Sequence, residues 1–254
     1  MKKSILAISI LILTIFAISS SLILLSGDEK SNQNTALVSQ IEQKIKKNKK
    51  ITIDHLIIKE KEPGEIVLEG IADLFGEKYY AQKAAESFPI KKLENDIVVR
   101  PSQMVNDTDL QRDLFEGIKR ELRGSYFDDV SFKVTNGVVQ LFGKIVSVGA
   151  LNKIFEMAIW TPGVRYVENN LKMVSASPQD DKIRNNLYYR LASDMRTKQY
   201  FVGSSPSIIL AVESGKITLK GYVTSKIDKI IIGQLANSLV GVISVDNQLE
   251  TPEN

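Results

Sequence analysis

The sequence predicts an α+β chain of three tandem αββαβ modules, each with two helices packed on a three-stranded mixed sheet, after an N-terminal hydrophobic helix. Three observations carry that expectation. A motif of the form G-x-[IV]-x-L-x-G occurs as Gly64 to Gly70, Gly137 to Gly143 and Gly215 to Gly221. About twenty residues after each second glycine comes another shared block, spanning Pro89 to Ile97, Gly163 to Leu171 and Gly241 to Leu249. Within these blocks Asn95, Asn169 and Asn247 fall at one position. The third observation is periodicity: apolar residues alternate through the motifs and recur at helical spacing between them.

The N-terminus comes first. Lys2 and Lys3 precede an uncharged run from Ser4 to Ser26, and charge returns at Asp28, Glu29 and Lys30. A basic start followed by an apolar core is an export signal, and the run reaches the roughly 20 residues that a membrane span requires. Residues 1–27 are therefore either a signal anchor or a cleaved signal peptide. Cleavage after Ser19, with Ala17 two residues before it, meets the small-residue rule but leaves the apolar stub Ser20 to Leu25, which favours the anchor. The lysines on the N-terminal flank put the body on the side away from the cytoplasm. The chain has no cysteine, which closes the lipoprotein route and excludes disulfides and thiolate metal sites.

The modules are expected over 35–100, 107–175 and 179–250. Each opens with an amphipathic helix, marked by Leu110, Leu114, Ile118 and Leu122 in the second copy and by Ile183, Leu187 and Leu191 in the third. Thr108 and Asp109 are placed to cap the second copy's helix. A strand such as Val130 to Val134 then turns through Asn136-Gly137 into the motif strand. Pro63-Gly64 and Ser214-Gly215 are the counterpart turns. A second helix follows, with Ile154 and Ala158 one turn apart on its buried face, and the final block resumes alternation as a third strand. Linkers are short, Arg100 to Asn106 and Ser175 to Gln179.

The motif strand, the helix after it and the closing G-V-x-x-V-x-N-x-L block resemble the BON domain, named for bacterial OsmY and nodulation proteins. The likeness covers the chain beyond its N-terminal segment as three copies. It is specific in the second and third, while the first has Pro89 where the others have Gly163 and Gly241, and one residue fewer in its helical segment. A looser helix end is expected there. The resemblance implies a periplasmic or envelope protein that binds phospholipid surfaces and supports membrane integrity, often under osmotic stress. It implies no cofactor.

The search for chemistry excludes more than it finds. A formal net charge of +3 over 254 residues is too close to neutral for the basic stripe of a nucleic-acid binder. His55 is the only histidine, has no carboxylate–histidine motif beside it, and reads as a strand residue. Asp128-Asp129 and the Glu60, Glu62 and Glu65 group read as solvated turn residues. No nucleophile elbow or phosphate loop is present; the chain reads as a non-enzyme. Lys44, Lys46, Lys47, Lys49 and Lys50 form a basic cluster that acidic lipid headgroups would attract, by about 1 kcal/mol per lysine near a surface; lysines also suit a helix C-terminus and a soluble surface.

Comparing the copies separates what the fold needs from what it does not. Counted back from the closing block, Tyr80, Ile154 and Ile232 coincide, as do Ala84, Ala158 and Ala236, and these are the expected core. Trp160, the only tryptophan, falls with Glu86 and Ser238, and Ile159 with Ala85 and Asn237. Ile159, Trp160 and the nearby Arg165 are thus expected at an exposed helix end suited to a headgroup region, or packed on a neighbouring module or linker. Ile230 and Ile231 fall with Lys78/Tyr79 and Asn152/Lys153; a contact between repeats is favoured over a membrane for them. The expected partner is an anionic phospholipid surface, at the extracytoplasmic face of the inner membrane. The alternative is a scaffold that joins envelope proteins or copies of itself.

Overall fold

A computed structural model describes residues 36–175, 177–202 and 207–252. The N-terminal hydrophobic run lies outside the described residues, and among those described no helix is long and apolar enough to cross a membrane. The chain divides into two compact units, one ending at Arg100 and the other starting at Pro101.

In the first unit an opening helix α1, described over 36–47, precedes β1 (Ile53–Glu62), β2 (Glu65–Ala72), α2 (Phe75–Glu86) and β3 (Lys92–Val99). The second unit repeats the order twice. Its first round is α3 (Asp107–Glu121), β4 (Asp129–Thr135), β5 (Val138–Ile145), α4 (Val148–Ile159) and β6 (Tyr166–Met173). Its second round is α5 (Pro178–Ser193), a short 3₁₀ helix (Lys198–Phe201), β7 (Ile208–Glu213), β8 (Lys216–Tyr222), α6 (Lys226–Asn237) and β9 (Ser244–Glu250). We refer to the three rounds as modules 1, 2 and 3. The motif strand is central in each sheet, paired antiparallel to the strand before it and parallel to the one after its helix. These are the expected mixed sheets with two helices each.

The motif glycines sit where a side chain would collide. At Asn136-Gly137 both residues have positive φ, +52° and +74°, the requirement of the two-residue hairpin turn that matches strand twist. Ser214-Gly215 repeats that geometry, and Pro63-Gly64 places Gly64 at +83°. The second glycine answers a different demand. Gly143 lies opposite Val130, and a Cβ built on it would stand 2.0 Å from the Asp129 carbonyl oxygen. Gly221 meets the Ser207 carbonyl at 2.1 Å, and Gly70 meets the Ile53 side chain at 2.6 Å. Gly163 and Gly241 turn the chain between second helix and third strand.

Helix ends follow from local chemistry. Asn106, not Thr108 or Asp109, caps α3, its side chain accepting from the Asp109 N–H at 2.9 Å. Ser147, Ser177 and Ser225 cap α4, α5 and α6 in the same way. The first copy's second helix has the looser end expected: the N–H of its C-cap Ser87 points to the Ala85 carbonyl, whereas those of Trp160 and Ser238 donate four residues back, to Glu156 and Gln234 at 3.2 and 3.0 Å. The Ser87 hydroxyl closes α2 on the Ala84 carbonyl at 2.6 Å, and α2 has the same twelve residues as α4 and α6.

This corrects the pairing of the copies. All three second helices start five residues after the second glycine, so the residue missing from module 1 is lost after the helix. Counted forward, the shared core positions are Ala81, Ile154 and Ile232, then Ala85, Ala158 and Ala236, all fully buried. Tyr80 and Ala84 are half-buried. In module 1 these alanines pack with Ile41 and Ile45 of α1, Ile66, Leu68 and Ala72 of β2, and Ile97 of β3. In module 2, Leu110, Leu114 and Ile118 of α3 are buried, as expected.

Candidate interaction surfaces

The five clustered lysines all stand at the end of α1 and in the turn after it. Lys44 Nζ donates to the Ser87 hydroxyl at 2.6 Å and lies 5.3 Å from the Phe88 ring centre. Lys46 pairs with Glu42 at 2.5 Å. Lys47, Lys49 and Lys50 are exposed.

In module 2, Trp160 is the C-cap of α4. It is half-buried, and its indole N–H donates to Glu156 Oε2 at 3.1 Å. Its true counterparts are Ser87 and Ser238, the C-caps of α2 and α6. Ile159 was expected at the surface, but it is 0 % exposed. Its counterparts Glu86 and Asn237 are exposed, so this position turns inward only in module 2, and Ile159 is not available to a partner. Val105 of the preceding linker reaches Gly163, where a Cβ would stand 2.7 Å from it. Arg165 is exposed, its N–H donates to the Gly137 carbonyl at 2.8 Å, and its stem lies over Gly137.

Ile230 is 56 % exposed within its own unit; Ile231 is half-buried. His55 is exposed and has φ +52°, inside a register shift of β1.

Modules 2 and 3 are joined by residues whose role the repeats do not reveal. Tyr126, in the segment before β4, is built into the module 3 core with Leu187, Leu191 and Phe201. Its hydroxyl donates to the Phe201 carbonyl at 3.2 Å, and its own carbonyl accepts from the Leu210 N–H at 2.6 Å. Burial, then the neighbouring Tyr188, pushes the Tyr126 phenol above its usual range. The Asp128-Asp129 pair is not a solvated turn. Asp128 is buried and accepts from the Ser125 hydroxyl and the Val146 N–H at 2.6 and 2.7 Å. Asp129 pairs with Lys220 across the junction at 2.5 Å, and Lys144 pairs with Glu213. A groove of about 370 Å³ runs along this seam beside Phe127 and Lys216. Adjacent aromatics before an edge strand, Tyr126-Phe127, were the available signal for this contact.

Three further carboxylates, Asp107, Asp180 and Asp228, have structural roles that the sequence pattern does not reveal. Asp107 accepts the N–H groups of Asn136 and Gly137 at 2.6 and 2.9 Å. Asp180 does the same for Ser214 and Gly215, both at 2.8 Å. These two aspartates each lie in the first turn of an opening helix and hold their module's hairpin. In module 1 Glu60 accepts the Gly64 N–H at 2.6 Å, so it is not simply a solvated residue either. In module 3 Asp228 is buried and receives Arg196 Nε at 2.8 Å and the Tyr200 hydroxyl at 2.7 Å. Burial pushes its carboxyl up, but the hydrogen bonds from Tyr200, Arg196, Ser225 and Thr224 outweigh that and hold it at about 2.

The repeated fold, the glycines that only it requires and the asparagine at one position of each third strand can be set beside known families. The BON domain profile matches residues 33–101, 106–175 and 179–253. The chain belongs to the BON domain family. BON domains are non-enzymatic binding domains. No curated protein matches the chain. Among solved structures, the C-terminal domain of CdsD, the structural protein of the type III secretion system of Chlamydia trachomatis, is 12 % identical. That match covers 86 % of this chain and 98 % of that one at a TM-score of 0.24. A second CdsD structure is 14 % identical, covering 86 % and 94 % at a TM-score of 0.24.

Proposed function

We propose that this BON protein is a phospholipid-surface binding protein of the cell envelope, acting outside the cytoplasm and supporting envelope integrity or osmotic-stress tolerance. Membership of the BON family along most of the chain carries the reading. The basic-then-apolar start from Lys2 to Ser26 supports an N-terminal anchor in the inner membrane, with cleavage and release to the periplasm as the alternative. Anionic headgroups are the preferred surface: Lys47, Lys49 and Lys50 are exposed in module 1, and Arg165 stands near Trp160 in module 2.

The test is co-sedimentation of residues 30–254 with phosphatidylglycerol/phosphatidylcholine vesicles, read alongside the emission of Trp160, the only tryptophan. Binding with a blue shift is expected. Binding by Trp160→Ala equal to the parent's removes Trp160 from the contact, and no binding to any vesicle overturns the reading. A second reading, a scaffold for envelope partners, is favoured by the Tyr126 joint between modules 2 and 3. Discrete oligomers by light scattering, without lipid affinity, are its expected signature.

A further inference from the structure

We infer that module 3 carries a lipid-contact face of its own, built on α6 and the turn after it, which takes an anionic bilayer surface. The inference rests on the membrane-surface reading above and names a site for it. Ile227 and Ile230 of α6 are 55 % and 56 % exposed, and Val240 and Ile243 beyond its end are 93 % and 73 % exposed. The fold does not ask for these side chains. The positions of Ile227 and Ile230, counted from the second glycine, hold Gly76 and Tyr79 in module 1 and Gly149 and Asn152 in module 2. Ile243 stands where the sister copies have Lys91 and Arg165, each against its hairpin glycine.

Charge decides between a bilayer and a protein as the occupant. Lys226 and Lys229 flank the isoleucines, and the lone acidic residue of α6, Asp228, is turned inward and neutralised by Arg196. The outward face of α6 therefore presents aliphatic side chains and cations without a carboxylate. Lysine is depleted at protein–protein interfaces, where aromatic residues and arginine concentrate. Aliphatic residues beside lysines on one helix are instead the pattern of a helix lying in a headgroup layer, bound by apolar burial together with attraction to anionic lipid.

The absence of cysteine makes the test clean. Full-length Ile230→Cys, carrying one environment-sensitive fluorophore, is assembled with nanodiscs of phosphatidylcholine alone or with 30 % phosphatidylglycerol. The expected result is a blue shift in the anionic discs only, reduced at least threefold by adding Ile227→Asn and Val240→Asn. A shift of Trp160 emission with none at position 230 overturns this inference and leaves the membrane-surface reading standing. No shift at either place overturns both. A shift at position 230 that grows with protein concentration in the absence of lipid shows a second copy covering the face, and overturns the inference as well.

Discussion

Replacing Tyr126 with alanine should destabilise a module to which the residue does not belong in sequence. Tyr126 precedes the first strand of module 2, yet its buried ring packs at 5.1 Å between centres from both Tyr188 and Phe201 of module 3. Truncating a buried aromatic to alanine removes about 3–5 kcal/mol through lost transfer and the cavity left behind. Each aromatic pair accounts for about 0.5–1.5 kcal/mol of that. Tyr126→Phe separates the hydroxyl: it keeps the ring and loses only the bond to the Phe201 carbonyl, a loss of about 1 kcal/mol. For a unit of this size the alanine variant should melt on the order of 10 °C lower. The decisive assay is amide exchange resolved by segment, with protection falling in α5 and β7 for Tyr126→Ala and little changed for Tyr126→Phe. Unchanged exchange in α5 and β7, with a stability loss under about 1 kcal/mol, would refute the claim that module 2 completes the module 3 core.

Other perturbations probe the repeat itself. Gly143→Ala drives a Cβ to within 2.0 Å of the Asp129 carbonyl at φ +128° and should abolish the two-state melt of the second unit. Gly149→Ala, with nothing within 4 Å, should raise its stability by about 0.5–1 kcal/mol in the same melt. Asp180→Ala leaves the Ser214 and Gly215 N–H groups without their acceptor and should lower stability by about 2–4 kcal/mol by urea titration. The Asp228 carboxyl is depressed from 3.8 to about 2, so its contribution is complete above pH 4 and is lost as pH falls through 2. That shift corresponds to about 2 kcal/mol. Asp228→Asn should therefore be less stable at neutral pH and flatten the acid limb between pH 4 and 2; an unchanged limb would show that the network does not hold the carboxylate.

The elements were legible because each rests on a local cause. Glycines at a two-residue hairpin, alternation through Ile66 and Leu68, and helical spacing at Leu110, Leu114 and Ile118 are short-range signals, and triplication made each of them readable. Side-chain exposure was not legible to the same degree. Counting back from the closing block crosses a turn from which module 1 has lost a residue, so it puts Ala85 in place of Glu86 opposite Ile159, while Asn237 is unaffected. Even the right counterparts, Glu86 and Asn237, are exposed where Ile159 is buried. Tyr126 and Asp180 belong to contacts between segments far apart in the chain, which no periodicity reports. The hydrophobic start is clear as a sequence, and it lies outside the described residues.

One backbone position shows how this family can keep its fold while changing its surface. Lys91, Arg165 and Ile243 occupy the same place before the third strand, and each lays its stem against the first motif glycine. A Cβ on Gly64, Gly137 or Gly215 would stand 3.0 or 3.1 Å from those stems. In each case the residue's N–H donates to the glycine carbonyl at 2.8 Å. The fold thus constrains the backbone and the first carbons of the side chain, and long stems of any chemistry satisfy it. What lies beyond the stem is unconstrained: an ammonium group in module 1, a guanidinium in module 2, a methyl group in module 3. The C-cap of the second helix varies likewise, as Ser87, Trp160 and Ser238. Both positions border the same turn, between the end of the second helix and the start of the third strand. Selection on binding can therefore act on that rim in each copy without disturbing the sheet beneath it, and three tandem copies give one chain three different rims.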